Sequence, residues 1–582
     1  MKAGVGRRDF LKRSGSAALA GIAATALKGV VRPALAEQPG LRTMVNQVGY
    51  LPAADKVATV QWPQGSREPA RKFQMRRADG GEKVLEGKLS EVREDALSGD
   101  RVQLADFSDV RIPGKYLLDV EHGETTEVEI GGDGYRHALW MATRGYYGQR
   151  CGCHVNLGGG YEHPPCHLHD AFDSSSGKTG TFANYGGWHD AGDYGRYMVN
   201  SGITTGTLLW AWELYEKSLL PMELQIPESR GPMPDFLAEV RWNLGWMLAM
   251  QDVDGGVWDK QTSREFCGFV MPQDDPLEIY VIGSGKPPYK VATATADFAA
   301  VMAIAARVYR EYDAKFAGRC LKAAERAWTW AMAHPNALFV ANPKGISTGT
   351  YGDPHDGDEL KWASAELWRT TGDARYEDAL LKQMPGTLQI GVPDWGNVAS
   401  MAWWTYALAK RGGKAQVVEQ IKNATIATAD ALAAQGCKNG YGQTLAAQDY
   451  VWGSNGVAGN QGLLLMIADR FHREGNYRNA ALANLDYLLG RNCFGVSWVT
   501  QVGTNPFQHP HHRPSVADGI TAPWPGLLSG GPNRHPADPT AKQVPQQAPM
   551  RMWVDKWQAY SMNEIAINWN APLVFVLAGV QA

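Results

Sequence analysis

The apolar residues of this chain change their spacing once, near residue 131, and that change limits the available folds more than any other feature. Between residues 41 and 130 they alternate, at Val57, at Phe73 and Met75, at Tyr116, Leu118 and Val120, and at Val128 and Ile130. Turn signals such as Asp79-Gly80-Gly81 and Pro113-Gly114 separate the runs. Alternation buries one face of each strand, so this stretch predicts an all-β module of sandwich size. Beyond Gly131-Gly132-Asp133-Gly134 the step becomes three or four, as in Leu237, Val240, Leu244 and Leu248, or Phe298, Val301, Ala305 and Val308. About a dozen such segments follow, with Gly, Pro, Asp and Trp in the loops and no fixed period of the kind a solenoid has. The expectation is a β-sandwich over residues 37–130 and a single all-α toroid over 131–582, whose loops at one end form a groove.

Residues 1–36 stand apart from both. Arg7-Arg8-Asp9-Phe10-Leu11-Lys12 resembles a twin-arginine signal; an Ala/Gly-rich run and Ala34-Leu35-Ala36 follow, and cleavage is expected after Ala36. The run is shorter than the roughly 20 residues of a spanning helix, Lys28 and Arg32 interrupt it, and nothing later is a better membrane candidate. The chain therefore reads as a protein handed to the twin-arginine export machinery, periplasmic or secreted, without membrane insertion. That route carries folded proteins, which suits one that takes up metal before leaving the cytoplasm. With 57 Lys and Arg against 60 Asp and Glu, a net charge of -3, no basic field exists to hold nucleic acid. The 21 Trp, 22 Tyr and 15 Phe suit either a core or platforms that stack on sugar rings.

Seven cysteines, at 151, 153, 166, 267, 320, 437 and 493, cannot all pair. Cys151, Cys153 and Cys166 cluster with His154, His163, His167, His169 and, a little later, His189. Local sequence supports two readings: a zinc site, or a Cys151–Cys166 disulfide in an oxidising compartment.

Three further constellations carry chemistry. Gly186-Gly187-Trp188-His189-Asp190-Ala191-Gly192-Asp193-Tyr194-Gly195-Arg196-Tyr197 sets two carboxylates three residues apart among glycines, although Asp is also the ordinary cap of a helix. Asn505-Pro506-Phe507-Gln508-His509-Pro510-His511-His512-Arg513-Pro514-Ser515 offers imidazole and guanidinium donors to hydroxyl groups. The last contains Trp553, Asp555, Tyr560, Glu564, Ala566, Asn570 and Ala571.

In this order and near these separations the three resemble glycoside hydrolase family 9, the inverting cellulases. Asn46-Gln47-Val48-Gly49-Tyr50-Leu51-Pro52 and Pro113-Gly114-Lys115-Tyr116 resemble that family's N-terminal immunoglobulin-like domain, so the likeness spans nearly the whole mature chain. It implies an immunoglobulin-like β-sandwich followed by an (α/α)6 barrel. It further implies Asp193 as general base, Asp190 as its partner on the nucleophilic water, Glu564 as general acid, and His511 and Arg513 as substrate-binding residues, with Tyr560 beside them. Glycoside cleavage with inversion needs one protonated and one ionised carboxyl group on opposite faces of the sugar. The same likeness implies a structural zinc on Cys151, Cys166, His167 and His189, and structural calcium at Asp358, Glu359 and Asp394 and at Ser515 and Asp518.

The implied enzyme is an endoglucanase or cellodextrinase acting on β-1,4-glucan or cello-oligosaccharides. A β module and a helical block consume residues 37–582, leaving no Pro/Ser/Thr linker or second β module for crystalline cellulose, so soluble substrates are expected to be favoured. Other readings are an exo-β-glucosaminidase of the same fold acting on chitosan oligosaccharides, a zinc-dependent hydrolase with an open metal position, and a non-catalytic carbohydrate-binding protein.

Overall fold

The computed structural model describes residues 41–62, 70–183 and 186–582, so the export signal read in residues 1–36 lies outside it. The first domain has eight strands: β1 (Arg42–Met44), β2 (Val57–Trp62), β3 (Lys72–Arg77), β4 (Lys83–Lys88), β5 (Arg93–Asp95), β6 (Asp100–Asp106), β7 (Gly114–Val120) and β8 (Thr126–Ile130). They form two antiparallel sheets in the orders β1-β2-β6-β5 and β4-β3-β7-β8. Phe73, Met75, Tyr116, Leu118, Val120, Val128 and Ile130 are buried between them, as their alternation predicts.

Strand β2 departs from that simple pattern. Its inward residues are Ala58, Val60 and Trp62, in the opposite phase from Val57, and Thr59 and Gln61 on the other face are buried as well. That second face docks on the helical domain. Thr59 Oγ1 donates to Gly440 O at 2.8 Å and accepts from Arg491 Nε at 3.0 Å. A buried polar face is tolerated where each group finds a partner.

The helical domain runs α1 (Asp133–Gly148), α2 (Met198–Leu219), α3 (Asp235–Ala249), α4 (Ala292–Val308), α5 (Ala314–Ala333), α6 (Gly357–Thr371) and α7 (Ala374–Lys382). It continues with α8 (Ala399–Ala407), α9 (Ala415–Lys438), α10 (Ser454–Phe471), α11 (Tyr477–Leu488), two short helices α12 (Arg513–Ala517) and α13 (Tyr560–Asn563), and α14 (Ile567–Gly579). Helices α2, α4, α6, α8, α10 and α14 make the inner layer; α2, α4, α6 and α8 pack in succession, and α14 lies against both α2 and α10. The remaining long helices lie outside them, giving the six-hairpin toroid. Position in the barrel decides each helix's pattern. Outer α5 buries one stripe, Phe316, Cys320, Ala324, Ala327 and Ala331, and Asp313 caps its start by accepting from Phe316 N. Inner α4 is buried at every residue but Arg307, and its alanines let neighbouring helices approach.

Small strands cap the end at which α2 and α4 begin. β9 (Val155–Asn156) and β10 (Glu162–His163) form a hairpin. β11 (Asp170–Phe172), β12 (Thr181–Phe182), β13 (Arg196–Tyr197), β14 (Lys260–Thr262) and β15 (Ile279–Ile282) form a sheet in the order β12-β11-β15-β14-β13. No helix among the described residues is long and apolar enough to cross a membrane.

Polar contacts lock the two domains together. Asn46 Nδ2 donates to Asp486 Oδ1 at 2.8 Å and to Tyr135 Oη at 3.0 Å, and Gln47 N donates to Leu489 O at 2.9 Å. Tyr441 Oη donates to Asp100 Oδ2 at 2.6 Å, and Arg551 pairs with the same carboxylate. Asp486 also faces buried Arg491 at 3.9 Å. Asp486→Ala leaves one Asn46 N–H without its acceptor and the buried guanidinium without its counter-charge, so stability should fall by about 2 to 4 kcal/mol. An unchanged urea-unfolding midpoint would contradict this account of the junction.

Candidate active site and metal centre

The turn between β12 and β13 closes on itself: Asp190 N donates to Gly195 O at 2.9 Å and Gly195 N to Asp193 Oδ2 at 3.0 Å. Neither carboxylate caps a helix, since α2 begins after an extended Tyr197 with no side-chain cap. The turn presses on the histidine-rich loop so closely that a Cβ on Gly192 would lie 1.8 Å from His511 O. Gly192 O accepts from Arg513 N at 3.2 Å and from Arg513 Nη1 at 2.8 Å. Asp190 O accepts from Ile567 N at 2.9 Å, and His511 N donates to Asn563 O at 2.8 Å. Three segments far apart in sequence thus share one main-chain frame, which brings Asp190, Asp193 and Glu564 together.

Their environments differ. Asp190, 1% exposed, accepts from Asn200 Nδ2 on Oδ1 and from Tyr351 Oη on Oδ2, each at 2.6 Å. Burial, then the neighbouring Asp193, pushes it up to about 8, so it holds a proton near neutral pH. Asp193 accepts from Gly195 N and, at 3.2 Å, from Tyr197 Oη, both on Oδ2; among the described residues its Oδ1 takes no hydrogen bond. Glu564 accepts from Trp452 Nε1 on Oε2 at 3.1 Å. Burial first, then the charges of Asp193 and Asp190, raises it well above the usual carboxyl range. The site therefore offers a carboxyl group that keeps its proton, and a separate carboxylate with one free oxygen.

Aromatic side chains line the surroundings. Tyr560 lies between Trp452 and His511, with ring centroids 5.4 and 5.6 Å away, and Phe269 packs on His511 and Trp557 at 5.0 and 4.3 Å. His511 Nδ1 donates to Trp557 O at 2.7 Å, and burial pushes the imidazole down to about 4. It is thus neutral with Nε2 as an acceptor, which corrects the expectation of an imidazole donor. Arg513, 5% exposed, directs its donors to Gly192 O and, through Nε and Nη2 at 3.2 and 2.9 Å, to Cys267 O. Through these three of its five N–H groups it braces the turn against the loop of Phe266 and Phe269. Sequence reasoning missed Asn200, Tyr351, Trp452 and Phe269. They come from separate loops and helix starts, and no spacing links them.

Beside the turn, ligand atoms of Cys151, Cys166, His167 and His189 lie within 4.8 Å of one another. Cys151 Sγ is 3.8 Å from His167 Nδ1, and Cys166 Sγ is 3.8 Å from His189 Nε2. His167 Nε2 also meets Asp275 Oδ2 at 3.3 Å, the outer-shell carboxylate that orients a metal-binding imidazole. The two cysteines are free thiols. Cys153, His154, His163 and His169 stay outside this group; His163 Nδ1 bonds Pro164 O at 2.7 Å.

Asp358 and Glu359 lie near Asp297 and Asp353, and Asp353 lies near Asp394, but their oxygens do not converge on one point as the Cys and His ligand atoms do. Asp358 Oδ2 accepts from Val398 N at 2.8 Å, and Asp394 Oδ1 from Gly396 N at 2.9 Å. Both oxygens of Glu359 and of Asp297 are buried without a hydrogen-bond partner. Burial, then Asp358, Asp297 and Asp353, drives Glu359 strongly upward. Ser515 and Asp518 meet instead around Trp524: Ser515 Oγ accepts its backbone N–H and Asp518 Oδ2 its indole N–H, both at 2.9 Å. Asp518 Oδ1 accepts from Ile520 N at 2.9 Å, so this pair already has protein donors on its oxygens.

Residues 135–577 match the model of glycosyl hydrolase family 9, and residues 38–125 match the cellulase N-terminal ig-like domain. Endoglucanase D of Acetivibrio thermocellus is 38% identical over 548 residues, covering 92% of this chain and 83% of that protein. A cellodextrinase of Butyrivibrio fibrisolvens is 33% identical over 562 residues, covering 93% of this chain and 99% of its own. The crystal structure of a Zn-binding triple mutant of a family 9 endoglucanase superposes with a TM-score of 0.85 at 33% identity, covering 91% of this chain and 99% of that one. With its fold, its carboxylate turn and its C-terminal glutamate all in the matched regions, the chain belongs to glycosyl hydrolase family 9 and carries that family's cellulase-type immunoglobulin-like domain.

Proposed function

We propose that this glycosyl hydrolase cleaves β-1,4-glucosidic bonds in cello-oligosaccharides and soluble glucan with inversion, using Glu564 as general acid and Asp193 as general base. The observation that carries the reading is the contrast between the two groups. Glu564 is held protonated by burial and by neighbouring negative charge, while Asp193 has two donors on Oδ2 and a free Oδ1. The endoglucanase and cellodextrinase relatives support the substrate class.

In this scheme the glucan lies between the Asp190–Asp193 turn and Glu564. Glu564 gives its proton to the departing glycosidic oxygen, and Asp193 Oδ1 takes a proton from the water that attacks the anomeric carbon from the opposite face. Asp190, protonated and tied to Asn200 and Tyr351, supports that water without competing for its proton. The indole N–H of Trp452 occupies Oε2 of Glu564, which leaves Oε1 to carry the transferable proton. Neutral His511 accepts from a sugar hydroxyl through Nε2, and Tyr560, Trp452 and Phe269 supply apolar faces.

We assign zinc to Cys151, Cys166, His167 and His189. Tetrahedral zinc with sulfur and nitrogen ligands has donor–donor edges of roughly 3.3 to 3.8 Å, and the two cross-distances of 3.8 Å fit that figure. Four protein ligands make a closed structural site, and His189, next to Asp190, would anchor the turn. The oxygen-only cluster of Asp353, Asp358, Glu359 and Asp394 suits calcium, whose charge would satisfy the orphaned Glu359 oxygens. Ser515 and Asp518 have fewer unengaged oxygens to offer a second ion. The leader read in residues 1–36 supports export by the twin-arginine route, with metal taken up before passage and the enzyme working in the periplasm or outside the cell.

Replacing the acid tests the assignment. Glu564→Gln should lower turnover of β-glucan by roughly 10²- to 10⁴-fold and spare aryl cellobiosides with good leaving groups, which need little protonation. The alkaline limb of the kcat/KM profile should disappear with it. Wild-type activity is lost as pH rises through the raised folded-state value of Glu564, because only the protonated form donates. Asp193→Asn should damage both substrates alike. Equal losses for Glu564→Gln on the two substrates would show that another group protonates the leaving oxygen.

Elemental analysis should find one zinc per chain in protein purified without chelators. Cys166→Ser should release it, lower the melting temperature and reduce activity through disorder of the Asp190 turn. A zinc-free protein with a Cys151–Cys166 disulfide on mass mapping would overturn the assignment.

A further inference from the structure

We infer that Tyr197, held in place by Lys260 across the β13–β14 pair, is a positioning residue for the general base, fixing Asp193 Oδ2 so that Oδ1 faces the attacking water. The inference rests on the reading of Asp193 as base and adds to it two residues that stand behind the turn. In register, Tyr197 opposes Lys260. Both are buried, Tyr197 at 2% exposure and Lys260 at 0%.

The direction of the hydrogen bonds follows from counting protons. Gly349 N–H donates to Tyr197 Oη at 3.2 Å, so the phenol is an acceptor there. The Thr348 side chain is a further partner of the phenol, and the phenol proton goes to Asp193 Oδ2, also at 3.2 Å. Gly349 is itself held from behind: its carbonyl accepts from Lys260 Nζ at 2.6 Å, and the same ammonium donates to Asn342 Oδ1 at 2.6 Å. Asn342 Nδ2 in turn donates to Thr348 O at 2.7 Å, so the loop before Gly349 is clamped at both ends. A Cβ on Gly349 would come within 3.2 Å of the phenol oxygen, so glycine permits this close approach.

The arrangement differs from a core tyrosine that has merely found a partner. Asp190, in the same turn, has a donor on each oxygen, whereas the two donors to Asp193 converge on Oδ2 and leave Oδ1 clear. Among the described residues, the titratable groups whose charge bears on Asp193 are Asp190 in its own turn, Glu564 on the C-terminal loop, Tyr197 on β13 and Lys260 on β14. Lys260 alone of these can be a cation. Its ammonium stands 5.5 Å from the Tyr197 ring centroid and 5.3 Å from that of Phe339, in a setting where buried charge is weakly screened. Asp259, next to it in the chain, and Asp193 are the carboxylates whose charge bears on it, and part of its charge offsets the negative charge crowded on the turn.

The experiment compares wild type with Tyr197→Phe in the full chain, on mixed-linkage β-glucan and on an aryl β-cellobioside, across pH. Tyr197→Phe keeps the ring and removes only the donor. Turnover should fall roughly ten- to hundredfold on both substrates with KM unchanged, because water activation does not depend on the leaving group. The acid limb of kcat/KM should move to higher pH, since losing a donor to the carboxylate favours its protonated form. Lys260→Met should shift that limb in the same direction. An active wild type whose Tyr197→Phe variant keeps its kcat and its acid limb, or loses only KM or melting temperature, would overturn this inference alone. A wild type inert on both substrates would overturn the reading of the site and this inference with it.

Discussion

Everything the site does depends on three main-chain contacts around one turn: Gly192 O with Arg513 N, Asp190 O with Ile567 N, and His511 N with Asn563 O. The first two join segments more than three hundred residues apart in sequence, and the third ties the two distant segments to each other. Main-chain groups supply the contacts, so the relative placement of acid and base does not depend on long flexible side chains. Arg513 reinforces the frame from its side chain, through Gly192 O and Cys267 O. The barrel's inner helices bring these loops to one end, and the β-sandwich docks on the helical domain through the buried face of β2 and the Asn46–Asp486 contact.

Low solvent access converts that geometry into chemistry. Asp190 and Glu564 are both pushed upward by burial and by nearby carboxylate charge, which keeps protons on them. Asp193 keeps an oxygen at the opening and donors on the other side. The same principle governs the donor clusters nearby. Four convergent Cys and His side chains, and a Glu359 with no protein donor, are costly to bury uncompensated, and each lies close to a residue that orders the site: His189 before Asp190, and Asp353 two residues after Tyr351.

Much of this was legible in the residues themselves. The change of period at 131 separated the domains, and Phe73, Met75, Tyr116 and Leu118 pointed to the sandwich core because a half-buried strand must alternate. Val57 misled on phase because β2 is buried on both faces, and a strand with no solvent side has no polar alternation to read. Phe298, Val301, Ala305 and Val308 marked a helix correctly but suggested a stripe, where α4 is buried almost all round. The carboxylates, the Cys and His ligands and the histidine-rich loop were visible because their chemistry is rare and their spacing local. Tyr351, Trp452 and Asn200 were not, since aromatic and amide residues are common and only the fold brings them to Asp190 and Glu564; Tyr197 closed the carboxylate motif, but its bond to Asp193 Oδ2 was not readable there. Residue type names the donors that His511 and Arg513 own, while the fold decides which are engaged: His511 Nδ1 by Trp557 O, and three Arg513 N–H groups by Gly192 O and Cys267 O.

The central claim is that Glu564 and Asp193 act from opposite faces of the scissile sugar, one giving a proton to the leaving oxygen and the other taking one from water. The stereochemistry of the first product tests this most directly. Proton NMR during the first minutes of cellotetraose or cellopentaose hydrolysis, before mutarotation equilibrates the anomers, should show the α-anomer of the newly formed reducing end appearing first. Initial formation of the β-anomer would require a covalent intermediate on one of these carboxylates and would contradict the account.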